Sequence, residues 1–157
     1  MKVALGADHC GYEGEAPHFK PEIRRCLEDL GHEVIDCGTF SDASVDYPDY
    51  AAKVAQAILS GKAEMGVLIC GTGMGISIAA NRHKGIRATV CVTPEMVRLA
   101  REHNNANVLC IGKRILNLDQ SRELIKLWFE IPFSGGERHI RRIEKLDHLG
   151  TCELPAG

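Results

Sequence analysis

Short apolar runs alternate with longer amphipathic ones along this chain, and that alternation constrains the fold more than any single motif. Residues 3–7, 33–37, 65–70, 87–92 and 107–111 are continuous and rich in Val, Ile, Leu and Cys. Such runs fit strands of a parallel sheet covered on both faces. Helical patterns separate them at 19–30, 48–59, 76–82, 94–103 and 118–129, and a last one covers about 137–149. Thr93-Pro94 and Asn117 supply N-caps, and Ser134-Gly135-Gly136-Glu137 has capping-box spacing. Repeated β-α-β units predict an α/β domain, a three-layer, Rossmann-like open sheet of five parallel strands. Helices cover both faces, and an extra C-terminal helix follows.

The 157 residues suit one domain with a substantial core, expected over 1–150, followed by a loosely ordered tail at 151–157. A formal net charge of −2 gives no basic field for nucleic acid or a membrane surface. The first apolar run ends at Asp8-His9, so it fits a first strand better than a signal peptide. No run approaches the roughly 20 apolar residues of a membrane span. The 7 cysteines are odd in number, form no C-x-x-C or zinc-finger spacing, and sit mostly in apolar runs. That pattern predicts no disulfide framework and a reducing, cytoplasmic setting.

In an open α/β sheet, ligands bind outside the carboxyl ends of the strands. Those ends carry Asp8, His9, residues 38–41, 70–75, Thr93 and 112–114. The most distinctive is Cys70-Gly71-Thr72-Gly73-Met74-Gly75, a thiol followed by alternating glycines. Glycines expose backbone N–H groups that suit an anion, and a thiol at a helix N-terminus favours thiolate. The loop is not a dinucleotide fingerprint, because Ile76 stands where the third glycine belongs, nor a Walker A loop. Taken alone, Cys70 fits a small core residue ending a strand better than a catalytic thiol, and the glycines fit a tight turn as well as an anion site. Asp8-His9 fits a turn pair or a polar pair that handles a sugar hydroxyl proton, and Tyr47 a helix cap or a phenol facing the pocket. His103-Asn104 fits a helix C-terminus or an acid–base group. Arg138 and Arg142, four apart on one helix face, fit a solvated basic face or a phosphate clamp, with Arg114 a further donor.

Together, Asp8-His9-x-Gly11, Asp46-Tyr47-Pro48, Cys70-Gly71-Thr72-Gly73-x-Gly75-x-Ser77, Asn81, Gly85-Ile86-Arg87-Ala88, Arg101-x-His103-Asn104, Asn107-Val108-Leu109 and Arg138-His139-x-x-Arg142 resemble ribose-5-phosphate isomerase type B. The resemblance runs in order through nearly the whole chain. It implies an aldose–ketose isomerase of the pentose phosphate pathway, interconverting ribose 5-phosphate and ribulose 5-phosphate without metal or cofactor. Cys70 would be the base. The N–H groups of Gly71, Gly73 and Gly75, with Thr72, would hold the enediolate, while Tyr47 and Ser77 would line the substrate. Asp8 and His103 would open the sugar ring, Asn104 would hold substrate, and His9, Arg114, Arg138 and Arg142 would bind the phosphate. Homodimers, or dimers of dimers, with shared active sites are implied, the C-terminal helix carrying its arginines to a neighbour. The alternatives are an isomerase of a six-carbon sugar phosphate and a non-catalytic phosphosugar-binding module.

Two positions refine the resemblance. Some relatives carry Ser at position 70 and a Glu base at position 74. Here Cys70 and Met74 assign the chain to the cysteine branch. The first-helix lysine, Lys20, arrives late, after Tyr12-Glu13-Gly14-Glu15-Ala16-Pro17-His18, and Pro17 opposes an earlier helix start. That longer loop would narrow the pocket, form a lid or alter sugar preference.

Overall fold

The structure, a computed structural model, describes residues 1–149. Five strands, β1 (Lys2–Ala7), β2 (Glu33–Asp36), β3 (Met65–Cys70), β4 (Ala88–Val90) and β5 (Val108–Gly112), form one parallel sheet. Six helices accompany them: α1 (Phe19–Asp29), α2 (Tyr47–Leu59), α3 (Met74–Ala80), α4 (Pro94–Asn104), α5 (Leu118–Glu130) and α6 (Glu137–His148). A 3-10 turn, His9–Tyr12, follows β1.

The strand period of two divides the core. Val3, Leu5, Ala7, Val67, Ile69, Leu109 and Ile111 face α1, α4 and α5, represented by Ile23, Leu27, Val97, Leu124 and Trp128. Their alternates Ala4, Leu68, Cys70, Val108 and Cys110 face α2 and α3, through Ala51, Val54, Ala55, Ile76 and Ala80. Continuous apolar strands are therefore required, because each side chain in turn meets a helix layer. Among the described residues no helix is long and apolar enough to cross a membrane, and the six described cysteines are free.

The strand order is β2-β1-β3-β5-β4. The chain steps from β1 outward to β2, then returns across β1 to lay down β3 on the other side. This reversal opens a crevice at the carboxyl ends of β1 and β3, where open α/β sheets place ligands. The crossover through α3 then passes the slot that β5 later fills, which leaves β4 at the edge.

Four local expectations are corrected. Helix α3 begins at Met74 rather than Ile76, because Gly73, at φ 80°, turns the chain into the helix directly. It ends at Ala80, where the Asn81 side chain turns outward to bond both the N–H and the C=O of Ala88, each at 2.8 Å. Strand β4 is shorter than 87–92, since the Arg87 N–H is taken by the Asn107 side chain at 2.8 Å. The capping box expected at Ser134 is absent. Gly136 caps α6, and the Ser134 hydroxyl donates to the Glu102 carbonyl at 2.6 Å. The caps at Thr93 and Asn117 form as expected, the latter as a full capping box with Gln120. The tail at 151–157 lies outside the described residues.

Candidate active site

The crevice between β1 and β3 is floored by Cys70. Its strand register with Gly112 and the Ala7–Ile69 pairing bring Asp8, Cys70 and Gly112 side by side. The Asp8 N–H donates to the Ile69 carbonyl at 3.1 Å, continuing the ladder past the end of β1. Cys70 is 4 % exposed, and the Gly73 N–H points at its sulfur, 3.1 Å from Sγ. The Thr72 hydroxyl oxygen accepts from the Met74 N–H at 3.3 Å, which leaves its proton for a ligand. Ser77 is buried, its hydroxyl donating to the Met74 carbonyl at 2.8 Å.

The fit of this loop depends on two glycines. A methyl group at Gly112 would lie 2.5 Å from the Thr72 carbonyl carbon, so only glycine lets the cradle fold over β5. A methyl at Gly75 would lie 2.8 Å from Cζ and 3.1 Å from the hydroxyl oxygen of Tyr47. The phenol at the start of α2 therefore rests directly against the cradle.

Around Cys70 the remaining groups converge. Asp8, 5 % exposed, accepts from the Cys10 N–H at 2.9 Å, which fixes its carboxylate at the crevice edge. His9 Nδ1 lies 3.3 Å from both the N and the O of Val45, so Nε2 is the nitrogen left for a ligand. Arg114 donates its backbone N–H to the Gly71 carbonyl at 2.9 Å and lays its guanidinium beside Gly71. Glu13 meets that guanidinium at two points, at 3.0 and 3.2 Å. Five other thiols stay protonated. Burial, then the Asp8 charge, pushes Cys10 up to about 11. Burial likewise raises Cys26, Cys37, Cys91 and Cys110.

His103, Asn104, Arg138 and Arg142 lie elsewhere. His103 and Asn104 end α4, immediately before the chain turns into the amino end of β5. Helix α6 packs there, with His139 stacked on His103, centroids 4.3 Å apart. Cys70 aligns with the opposite end of β5. At about 3.3 Å of rise per residue, roughly 15 Å of sheet separates the two groups within one chain. Asn104, Arg138 and Arg142 are exposed.

Three further residues carry structural weight that the sequence reading missed. His139 is 7 % exposed inside an otherwise solvated helix. Its place in Arg138-His139-x-x-Arg142, one step off the arginine face, was the available signal. Lys20 is 1 % exposed and donates to Asp36 and to the Thr39 carbonyl, the latter at 2.8 Å. Glu13 is the third. No local pattern announces a partner 101 residues away.

A cavity of about 630 Å³ lies away from Cys70, between residues 81–89, Asn104 and the end of α6. The thiol, the carboxylate and the directed N–H groups are gathered instead in the β1–β3 crevice. A sequence profile of the Ribose/Galactose Isomerase family matches residues 3–146. Ribose-5-phosphate isomerase B of Escherichia coli is 45 % identical over 145 residues, spanning 92 % of this chain and 93 % of that protein. The solved structure of Clostridium thermocellum ribose-5-phosphate isomerase B superposes with a TM-score of 0.88 at 48 % identity, covering 94 % of this chain and 95 % of that one. That of the Thermotoga maritima ribose 5-phosphate isomerase gives 0.86 at 49 %, covering 93 % and 97 %. The sheet with Cys70 at its crevice and the match along nearly the whole sequence lead to one conclusion: this chain belongs to the ribose/galactose isomerase family.

Proposed function

We infer that the chain is an aldose–ketose isomerase interconverting ribose 5-phosphate and ribulose 5-phosphate. The observation that carries this reading is Cys70 on the crevice floor with the Gly73 N–H aimed at its sulfur. In the proposed reaction the Cys70 thiolate removes the C2 proton of the open-chain aldose, and that C–H electron pair forms the C1–C2 double bond. Charge develops on O1, where the N–H groups of Gly71, Gly73 and Gly75 receive it. A donor of this kind is worth about 3 kcal/mol when aimed at the developing oxyanion. The Cys70 thiol returns the proton to C1, and the Thr72 hydroxyl relays the O2 proton to O1, which leaves the ketone at C2. Asp8 takes the O1 hydroxyl proton during ring opening while the His103 imidazole of a second copy gives a proton to the departing ring oxygen, and Tyr47 and Ser77 shape the cradle. No cofactor takes part in these steps.

The phosphate is proposed to lie on His9 and Arg114 of one chain and on Arg138 and Arg142 of a second copy. That copy also supplies His103 and Asn104. Two features support a homodimer, or dimer of dimers, with shared sites. The half-sites stand at opposite ends of one sheet. Met74 and Ile78 on α3, and Ile140 and Leu146 on α6, are exposed apolar side chains beside them. The metabolic substrate and the six free cysteines among the described residues support a cytoplasmic location.

The test is NMR of ribose 5-phosphate in deuterated water with a chelator present. Enzyme-dependent deuterium at C2 of the aldose is the expected result. Ketose formation with no solvent deuterium in either sugar would refute a solvent-exchanging thiol base.

A further inference from the structure

Arg114, read above as a phosphate donor, is already holding a carboxylate. Its Nε and Nη2 donate to the two oxygens of Glu13 at 3.2 and 3.0 Å, the two-point geometry in which guanidinium groups also grip phosphate. The neighbouring Lys113 donates to the Glu13 carbonyl at 2.8 Å and stands 3.7 Å from its carboxylate. One residue of the 12–18 loop thus occupies both cations at the end of β5. The side chains of Arg114 and Glu13 are 56 % and 41 % exposed, and exposed pairs of this kind are weak and exchangeable. The Arg114 hydrogen bond holds the Glu13 carboxyl below its usual range, so it is charged near neutrality.

We propose that Glu13 is a built-in competitor: a tethered carboxylate that occupies Arg114 until a dianionic phosphate ester displaces it. A tethered group competes at high effective concentration. A singly charged anion brings no more charge than Glu13 and displaces it poorly. A dianion brings twice the charge to Arg114 and Lys113 and takes the site. Gly14, at φ 89°, follows Glu13 directly and has a backbone conformation that larger residues rarely adopt.

This inference rests on the reading of Arg114 as a phosphate ligand, and the experiment separates the two. Inorganic phosphate and acetate are measured as competitive inhibitors at a pH where phosphate is dianionic. The proteins are the unmodified enzyme, Glu13→Gln, Arg114→Ala and, as a loop control, Glu15→Gln. Glu13→Gln should lower the phosphate Ki about two- to fivefold, the range exposed ion pairs support. It should lower the acetate Ki at least as much, while Glu15→Gln changes neither. Arg114→Ala should raise the phosphate Ki. If Arg114→Ala raises it but Glu13→Gln leaves it unchanged or also raises it, Glu13 does not compete and the proposal is overturned. If Arg114→Ala has no effect, the phosphate role of Arg114 fails, and the proposal with it.

Discussion

The imidazoles of His103 and His139 stack 4.3 Å apart, with their planes 12° from parallel. Arg138 Nε lies 3.3 Å from His139 Nε2, an arrangement in which the neutral ring accepts. His139 thus orients two residues assigned to the substrate, the His103 ring and the Arg138 guanidinium. Burial lowers the His139 pKa first, and His103, Arg138 and Arg142 lower it further. The unfolded chain, with His near 6.5, therefore takes up this proton before the folded one as pH falls. The associated stability is present above about pH 6.5 and is lost as pH drops below it. Replacing His139 with Phe keeps a stacking ring and removes the titration. Thermal melts at about pH 7.5 and 5.5 should show a smaller acid-induced drop in Tm for His139→Phe than for the unmodified protein. An equal drop would assign the effect to other groups.

Cys70→Ala should lower kcat by about 10²- to 10⁴-fold, the usual contribution of a positioned acid–base group. Binding of inorganic phosphate should persist, because Cys70 takes no part in it. Steady-state kinetics with phosphate inhibition reads both. Turnover retained in Cys70→Ala would remove it as the base.

Shared sites make a separate prediction. Cys70→Ala and His103→Asn, each impaired alone, should restore activity when unfolded and refolded together. Random pairing gives half heterodimers, each with one intact site of two, or about a quarter of full activity. Absence of recovery would mean that Cys70 and His103 do not serve one site across an interface.

Gly75→Ala should destabilise the protein by about 1–3 kcal/mol, as overpacking typically does. The added methyl meets the Tyr47 ring at 2.8 Å. Combining it with Tyr47→Ala should cost less than the sum of the two changes, by about 0.5 kcal/mol or more. Urea unfolding of the single and double variants gives the coupling, and strict additivity would separate Tyr47 from the cradle.

Lys20→Met should cost about 3–5 kcal/mol, because it strands Asp36 at a site where the Lys20 side chain is 1 % exposed. Lys20→Met with Asp36→Leu should recover much of that loss, as apolar replacements of buried pairs often do. Denaturant midpoints compare the two. Equal destabilisation by both variants would place the effect in packing instead of charge.

Much of this architecture is legible locally. Thr93-Pro94 and Asn117 cap their helices because a cap needs only the next turn's N–H groups. Ser134 shows where such reasoning ends. It had the spacing of a capping box, yet its hydroxyl bonds to Glu102, 32 residues earlier. Asn81 likewise turns from its helix to finish the edge of β4. In both cases a distant backbone group outcompetes the local one.

The sequence by itself determined the strand and helix periods, the thiol-and-glycine loop at a strand end, and the family resemblance that those motifs carry. Each depends on a run of neighbours whose side-chain directions are set by backbone geometry. Only the tertiary structure decided that β1 and β3 adjoin, which joins Asp8 to Cys70, and that His103 and α6 stand at the other end of the sheet. It alone brought Glu13 onto Arg114 and buried Lys20 against Asp36 and the Thr39 carbonyl. Those relationships follow from strand order and close packing, in which residues far apart in the chain compete for the same partners, and no local period records who wins.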